Sequence, residues 1–355
     1  MPAMHATIAK IEAGERIDGN DFLRLAREAS LHQLGFLAGA VRQRLHPEPV
    51  VTYVIDRNIN YTDICVSACK FCAFFKAPED PAGQVLTREE LAEKIRETQA
   101  LGGTQILLQG GLHPDKPLEF YEEMLRFMKT TGIHIHGFSP PEIHHFAQLS
   151  GLPVTTVLKR LIAAGLDSIP GGGAEILCDR VREETAPKKC SADQWIAIME
   201  EAHCLGLRTT ATMMFGHIET LEERLEHLQR VRDLQDRTGG FTAFIPWPFQ
   251  PDHTPLAAAR TIEKTTAISY LRMLALSRLF LDNVRNIQAS WVTQGPKIAQ
   301  LSLFFGANDF GSTMIEENVV AAAGVKFRLS EQEIRRLVSD AGFQPQQRLM
   351  DYTPV

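Results

Sequence analysis

The chain lacks the features that mark secreted, membrane-spanning and nucleic-acid-binding proteins. It has six cysteines in 355 residues and no secretory signal, which argues against a disulfide framework. No apolar run approaches the length that crosses a bilayer, and there are no low-complexity segments or runs of like charge. A net charge of −6 argues against a general nucleic-acid surface. These absences predict a cytoplasmic enzyme that acts on a small molecule and binds neither membranes nor nucleic acids.

Three of the cysteines, Cys65, Cys69 and Cys72, stand in one C-x3-C-x2-C run. The run supplies three thiolates to one metal centre, whereas cubane iron–sulfur clusters otherwise take four cysteines. Three protein ligands leave one iron open to bind a small molecule. Structural zinc usually has four ligands, and the remaining cysteines have no partner at the spacing of a zinc knuckle. A zinc-binding scaffold without catalysis is the non-enzyme alternative.

The spacing of apolar residues predicts an α/β fold. Helical spacing, with caps at Asn20 or Asp21 and at Ser30, predicts helices in the first fifty residues. Strands and helices then alternate, with strands at 51–54, 104–108, 133–138, 166–169, 208–214, 241–247, 286–292 and 301–305. This order predicts a (β/α)8 TIM-type barrel over residues 51–355, with C-terminal helices and a helical N-terminal extension at residues 1–50. The last two strands have the weakest pattern, so a partial barrel that stops after the sixth is the alternative.

Glu175 and Arg182 follow the fourth predicted strand, just after a run of three glycines. A carboxylate and a guanidinium at a strand end would bind the ammonium and carboxylate groups of a zwitterion. The alternative is a surface helix on which both side chains are solvated.

The cysteine spacing, with Phe71 directly before the last thiol, resembles the radical S-adenosylmethionine (SAM) superfamily. Residues 56–65, 72–75, 109–114 and 139–142 resemble its menaquinone and deazaflavin branch, and residues 209–220 and 239–251 are most similar to the dehypoxanthine futalosine cyclases. The resemblance implies a [4Fe–4S] cluster on the three cysteines and SAM on its open iron. It also implies a futalosine-pathway cyclisation that leads to menaquinone.

The resemblance further implies which residues contact SAM. Phe71 would lie near the adenine, the Gly110–Gly111 backbone would hold the amino group, and Gly216 and Glu219 would lie near the adenosine. Packing of the aromatic ring and a tight glycine turn are the structural alternatives. Leu112 replaces the acidic residue usual after the two glycines, so this contact depends on the backbone alone.

In the implied reaction, a 5′-deoxyadenosyl radical takes hydrogen from the ribose C4′ of dehypoxanthine futalosine, and the carbon radical adds to the benzoate ring. The residues predicted to accept the ring proton are His217, His113 and Glu142. The residues predicted to contact the substrate are Trp247, Thr212, Ser290 and Asn308. A lone histidine is more often a satisfied structural residue, and the tryptophan fits a core position equally well.

The implied chemistry needs a low-potential electron donor such as flavodoxin or ferredoxin. The closest alternatives are an aminofutalosine synthase and a deazaflavin-forming synthase, which share the cluster and the barrel. Only the substrate-facing segments distinguish these activities.

Overall fold

Seven parallel strands form a curved sheet in the order β2-β3-β4-β5-β6-β7-β8, and β10, β1 and β9 form a second parallel sheet. The architecture comes from a computed structural model, which describes residues 2–355. The strands are β1 (Val50–Val54), β2 (Asp56–Asn60), β3 (Gln105–Gln109), β4 (His134–Gly137), β5 (Ser168–Ile169), β6 (Arg208–Phe215), β7 (Phe241–Pro248), β8 (Asn286–Ile287), β9 (Asp309–Ser312) and β10 (Gln344–Gln347). The helices are α1 (Pro2–Ala13), α2 (Gly19–Glu28), α3 (Leu31–Leu45), α4 (Arg88–Ala100), α5 (Leu118–Lys129), α6 (Pro140–Ser150), α7 (Val154–Ala164), α8 (Asp179–Thr185), α9 (Ala192–Cys204), α10 (Leu221–Thr238), α11 (Pro255–Ala259), α12 (Ala267–Phe280), α13 (Trp291–Gln294), α14 (Pro296–Ser302), α15 (Val319–Ala322) and α16 (Glu331–Asp340).

Strand β9 joins the two ends of the seven-stranded sheet. On one side the amide of Asn308 donates to Ile287 and that of Ala289 to Asp309, at 3.1 and 2.9 Å. On the other side, just after β9, the amide of Ile315 donates to the Asp56 carbonyl at 3.1 Å and the amide of Asn58 donates to the Glu316 carbonyl at 3.3 Å. The backbone ladder therefore runs around a closed parallel barrel, and the predicted α/β barrel fold is confirmed.

The eighth barrel strand lies later in the chain than predicted. Residues 301–305 complete α14 and the turn after it, and the strand that closes the barrel is Asp309–Ser312. Gly295 precedes the helix and Pro296 occupies its first turn, where a missing N–H costs no hydrogen bond. Leu301 is 46% exposed, as the outer face of a short helix allows and a barrel strand does not. The prediction of a strand from the apolar run at 301–305 is therefore wrong.

Capping residues begin most of the long helices. Ser30 and Gln33 bond each other's backbone in a capping box at the start of α3, as the sequence predicts. In α2 the predicted cap, Asn20 or Asp21, lies two or three residues too late. Asp18 is the N-cap, and Asp21 is its reciprocal partner three positions on. Helices α2 and α3 both pack against α12 on the outside of the barrel.

The C-terminal segment closes the end of the barrel at which the strands begin. Strand β10 pairs with β1, and the amide of Arg348 then donates to the Tyr53 carbonyl at 2.9 Å. Beyond β10, Arg348, Met350 and Tyr352 line the central cavity. We call these three residues the floor of the cavity. Within residues 2–355, no helix is both long and apolar enough to cross a membrane.

Candidate active site

A cavity of about 400 Å³ runs through the barrel from the loop after β2 to the floor. All three clustered cysteines line it, as do the Gly110–Gly111 turn after β3 and the glycine run after β5. The cysteines and the two glycine turns therefore lie together at the carboxyl ends of the strands, where the active sites of such barrels are found.

The loop that carries the cysteines is held at its edges by backbone hydrogen bonds. The amide of Cys65 donates to Lys76 at 2.9 Å, and the amide of Cys72 donates to the Cys69 carbonyl at 3.1 Å. The Ser67 hydroxyl lies 3.2 Å from the Cys69 sulfur. Burial raises the pKa of the Cys69 thiol to about 11. Binding of a metal would therefore be needed to favour the thiolate at neutral pH.

The thiols match the donor set of a three-cysteine cluster. Cys65, Cys69 and Cys72 line the cavity together, whereas the other three cysteines are absent from its walls. Among residues 2–355, no three histidine, cysteine or acidic side chains converge on a site for one metal ion. In a cubane each thiolate binds a different iron, so convergence on a single point is not required.

Glu175 lines the cavity as an ion pair with a lysine that the sequence analysis did not single out. The Lys189 ammonium lies 2.8 Å from the Glu175 carboxylate and 5.0 Å from the centre of the Phe71 ring. Burial opposes the charge on Glu175, but the neighbouring ammonium outweighs it and lowers the pKa of the carboxyl below its usual value. Glu175 also has a φ of +41°, a strained backbone conformation for a residue with a Cβ.

Arg182, predicted as the partner of Glu175, is not part of the cavity wall. Its guanidinium donates to the carbonyl groups of Gly173, Ala174 and Cys190 at 2.6 to 3.1 Å. These bonds fix the segment after β5 and leave the fork no free edge for a carboxylate. The prediction that Arg182 binds a zwitterion is corrected by this geometry, and the cation beside Glu175 is Lys189.

The two histidines predicted as proton acceptors both point away from the cavity. His113 accepts from the amide of Asp115 at 3.1 Å and is not in the cavity wall. The His217 side chain is fully buried, and its Nε2 lies 3.1 Å from the Met214 carbonyl. Burial lowers the pKa of both rings. Their position at strand ends was correctly predicted, but their side chains serve the loops behind the wall.

Gly216 and Glu219 form part of the same buried loop. The Glu219 carboxylate accepts from the amides of Gly216 and His217 at 2.5 and 2.9 Å and pairs with Arg224 at 2.7 Å. Neither Gly216 nor Glu219 lines the cavity. Their contact with the adenosine thus remains a prediction from resemblance, and their observed role is to shape the turn after β6.

Glu142 is the one predicted proton acceptor that lines the cavity, and it is heavily engaged. One carboxylate oxygen accepts from the Tyr61 hydroxyl at 2.7 Å and the Gly110 amide at 3.0 Å. The other accepts from the amide and hydroxyl of Ser139 at 2.7 and 2.6 Å. Burial raises the pKa of this carboxyl, while the hydrogen bonds lower it. Glu142 therefore ties the Gly110–Gly111 turn to the start of α6.

We expect Glu142→Gln to destabilise the fold. Both carboxylate oxygens accept hydrogen bonds, and in glutamine the N–H donors of the amide nitrogen would replace one of these acceptors and face donor groups. The loss of bonds to a buried charge should lower the free energy of unfolding by about 2–3 kcal/mol. Urea unfolding under anaerobic conditions measures the change. Glu90→Gln, in the exposed capping box of α4, is the control and should have a much smaller effect. Equal stability of the wild type and Glu142→Gln would contradict this assignment.

Three of the four residues predicted to contact the substrate line the cavity: Trp247, Thr212 and Ser290. Trp247 packs in a small apolar cluster that includes Phe71. Asn308 does not line the cavity. Its carbonyl oxygen accepts from Arg278 at 2.6 Å and its amide donates to Asn286 at 2.9 Å, so its contacts are structural.

Polar residues near the start of the strands were missed by the sequence analysis. Asp56 and Gln105 line the deep part of the cavity and are bonded to each other at 2.7 Å. His136 lines the same region, 2.7 Å from the Ser168 hydroxyl. The available signal was polarity inside predicted strands, where a barrel interior usually has branched apolar side chains.

Two family models match the chain. The model of the radical SAM superfamily matches residues 59–231, and the model of the CofH/MqnC C-terminal region matches residues 238–355. The first contains the cysteines, and the second contains the floor of the cavity.

Curated relatives are similar over nearly the whole chain. The cyclic dehypoxanthine futalosine synthase of Streptomyces coelicolor is 48% identical, covering 96% of this chain and 86% of its own. The protein of that name from Halalkalibacterium halodurans is 46% identical, covering 96% and 91%. The aminodeoxyfutalosine synthase of Thermus thermophilus is 40% identical, covering 98% and 94%.

A solved structure shows the same fold. The FeFe-hydrogenase maturase HydG from Carboxydothermus hydrogenoformans aligns with a TM-score of 0.77 over 99% of this chain and 81% of its own. At 17% identity this likeness concerns the fold alone.

Proposed function

Because the chain belongs to the radical SAM superfamily and to the branch with the CofH/MqnC C-terminal region, we propose that it cyclises dehypoxanthine futalosine in menaquinone biosynthesis. The observation that carries this proposal is the 46–48% identity, over 96% of the chain, to two proteins named cyclic dehypoxanthine futalosine synthase. A relative named for a different reaction, the aminodeoxyfutalosine synthase, is 40% identical.

The residues at the mouth of the barrel would hold the cofactors. Cys65, Cys69 and Cys72 would bind the [4Fe–4S] cluster, and the Gly110–Gly111 backbone with Glu175 would hold the amino acid part of SAM. When bound, the cluster and SAM supply a 5′-deoxyadenosyl radical that removes one hydrogen atom from the substrate.

The barrel would hold the substrate below these groups. A carbon radical reacts with its nearest neighbour, so the walls must hold the ribose C4′ against the benzoate ring and exclude water. Trp247 would flank the aromatic ring, and Thr212 and Ser290 offer hydroxyl groups. Formation of the C4′–aryl bond removes one hydrogen atom from C4′, which becomes part of 5′-deoxyadenosine, and one electron and one proton from the ring. The electron would return to the cluster, which is oxidised when SAM is cleaved, and the proton would pass to a base in the cavity wall. The product therefore has two hydrogens fewer than the substrate.

The balanced reaction has a direct test. We expect the anaerobically reconstituted chain, with SAM, a reductant and dehypoxanthine futalosine, to yield 5′-deoxyadenosine and a product lighter by two hydrogens, measured by mass spectrometry. Deoxyadenosine with unchanged substrate would reject the cyclase while leaving the radical chemistry. A colourless protein that contains zinc and does not cleave SAM would reject the enzyme altogether.

A change of substrates in the same assay distinguishes the cyclase from the deazaflavin-forming alternative. Incubation with 5-amino-6-(D-ribitylamino)uracil and L-tyrosine would test the deazaflavin-forming alternative, and a condensed product there would favour it. We further propose that a flavodoxin or ferredoxin supplies the electron, and that residues 51–355 form the catalytic barrel beside a helical extension at residues 1–50.

A further inference from the structure

The floor of the cavity presents hydrogen-bond donors that no residue of the barrel satisfies. Arg348 is 5% exposed and its guanidinium carbon lies 4.0 Å from the centre of the Tyr352 ring. Its Nε donates to the Asp309 carboxylate, and Nη1 donates to the Leu349 carbonyl at 3.1 Å. No acceptor for Nη2 is found within residues 2–355.

The second donor is the Tyr352 hydroxyl, which is buried and lies near the Asp309 carboxylate without a hydrogen bond of normal geometry to the described chain. Buried hydroxyl groups without a partner are uncommon in folded proteins, because the lost hydration is not replaced. Both Arg348 and Tyr352 line the same cavity as the cysteines. A ligand with an acceptor at the floor would satisfy both groups.

Asp56 and Asp309 both lie near Arg348, so an anion at this position would be held by hydrogen-bond donors and not by an excess of positive charge. The two cations in its wall are Lys189 and Arg348. Lys189 is already paired with Glu175, near the cysteines. Arg348 is paired with Asp309 through one edge and keeps a second edge for another oxygen. An arginine fork and a hydroxyl together match the geometry of a carboxylate.

We propose that Arg348 and Tyr352 bind the carboxylate of an aromatic acid substrate at the floor of the cavity. The inference rests on the proposed function, in which that group is the benzoate carboxylate. Strand β2 separates the floor from the cysteine loop by four residue steps, or about 13 Å. An aromatic acid anchored at the floor therefore extends its other end toward the cofactors.

The test compares an acid with its neutral amide. Binding of 3-acetylbenzoate and 3-acetylbenzamide to the anaerobically reconstituted full chain is measured by calorimetry. We expect the wild type to prefer the acid at least tenfold. Tyr352→Phe keeps the ring under Arg348 and removes one donor, and should reduce that preference about tenfold. In turnover, KM should rise by a similar factor and kcat should change less than twofold.

A matched control and a second variant keep the result clear. Tyr121 also has a buried hydroxyl without a partner in the described chain, but it lies outside the cavity wall, so Tyr121→Phe should leave the acid preference unchanged. Arg348→Lys keeps the charge beside Asp309 and removes the fork, and should also reduce the preference.

Several outcomes would overturn the proposal. One is equal affinity of the wild type for the acid and the amide. Another is a loss of affinity in the variants that is the same for both ligands. The chain could also prefer the acid through Tyr352 and yet fail to cyclise dehypoxanthine futalosine. That result would reject the proposed reaction but support the carboxylate site.

Discussion

Cys65→Ser should lose its iron–sulfur cluster and, with it, the cleavage of SAM. Cys65 lines the cavity and belongs to a set of only three cavity thiols, so a cubane that lost it would have two open irons. Removal of a residue that merely supports a metal ligand already costs about 10- to 100-fold, so loss of a ligand should reduce 5′-deoxyadenosine formation more than about 100-fold.

Three measurements test the cysteine assignment: iron content, the visible absorption of the cluster, and deoxyadenosine yield after anaerobic reconstitution. Cys204→Ser is the control, because Cys204 is exposed at the end of α9 and is not part of the cavity wall. Full iron content and unchanged SAM cleavage in Cys65→Ser would contradict the assignment. Loss of all three properties in the control would show that the thiols act through stability alone.

Gly111→Ala should be nearly as damaging, although it adds a single methyl group. A Cβ at Gly111 would lie closer than 3.0 Å to the backbone of Ile64 and at 3.0 Å from the Cβ of Cys65. Backbone atoms cannot rotate away, so the cysteine loop must move. A shift of about 1 Å at a reacting centre can cost about 100-fold, which is the loss of SAM cleavage we expect.

Gly39→Ala is the control for the added methyl group. A Cβ there meets its nearest neighbour, the Phe304 carbonyl, at an ordinary 3.5 Å, and Gly39 lies inside α3. Alanine at that helical position should stabilise the chain by about 0.5–1 kcal/mol. Iron retention after gel filtration, followed alongside thermal unfolding, separates loss of the cluster from loss of the fold. Normal iron retention in Gly111→Ala would show that the loop tolerates displacement.

Local patterns were sufficient to predict the cysteines and the two glycines, because each is defined by its neighbours in the chain. Patterns of this kind cannot say which side of a loop faces the cavity. Arg182 and Lys189 both follow β5. Only the path of the backbone determines that Arg182 donates to backbone carbonyl groups whereas Lys189 pairs with Glu175. His113 and His217 were correctly located at strand ends, but their rings turn behind the wall.

Long-range packing explains the other misses. Arg348 and Tyr352 reach the cavity because β10 pairs with β1, nearly 300 residues earlier, and no local spacing records that pairing. Asn308 was predicted to contact the substrate, but the buried guanidinium of Arg278 donates to its side-chain carbonyl oxygen. The closing strand itself was missed because Asp309–Ser312 is short and contains a glycine, whereas 301–305 is richly apolar.

The pairing of β1 with β9 and β10 sets the order in which the molecule can be completed. Strand β1 leaves the ribosome more than 250 residues before β9. At 5–20 residues per second, it waits roughly 13–50 s for its partners. During that time it has an open edge of unpaired amides, able to pair with another chain. Until β9 and β10 emerge, pairing of β1 with another chain therefore competes with completion of the fold.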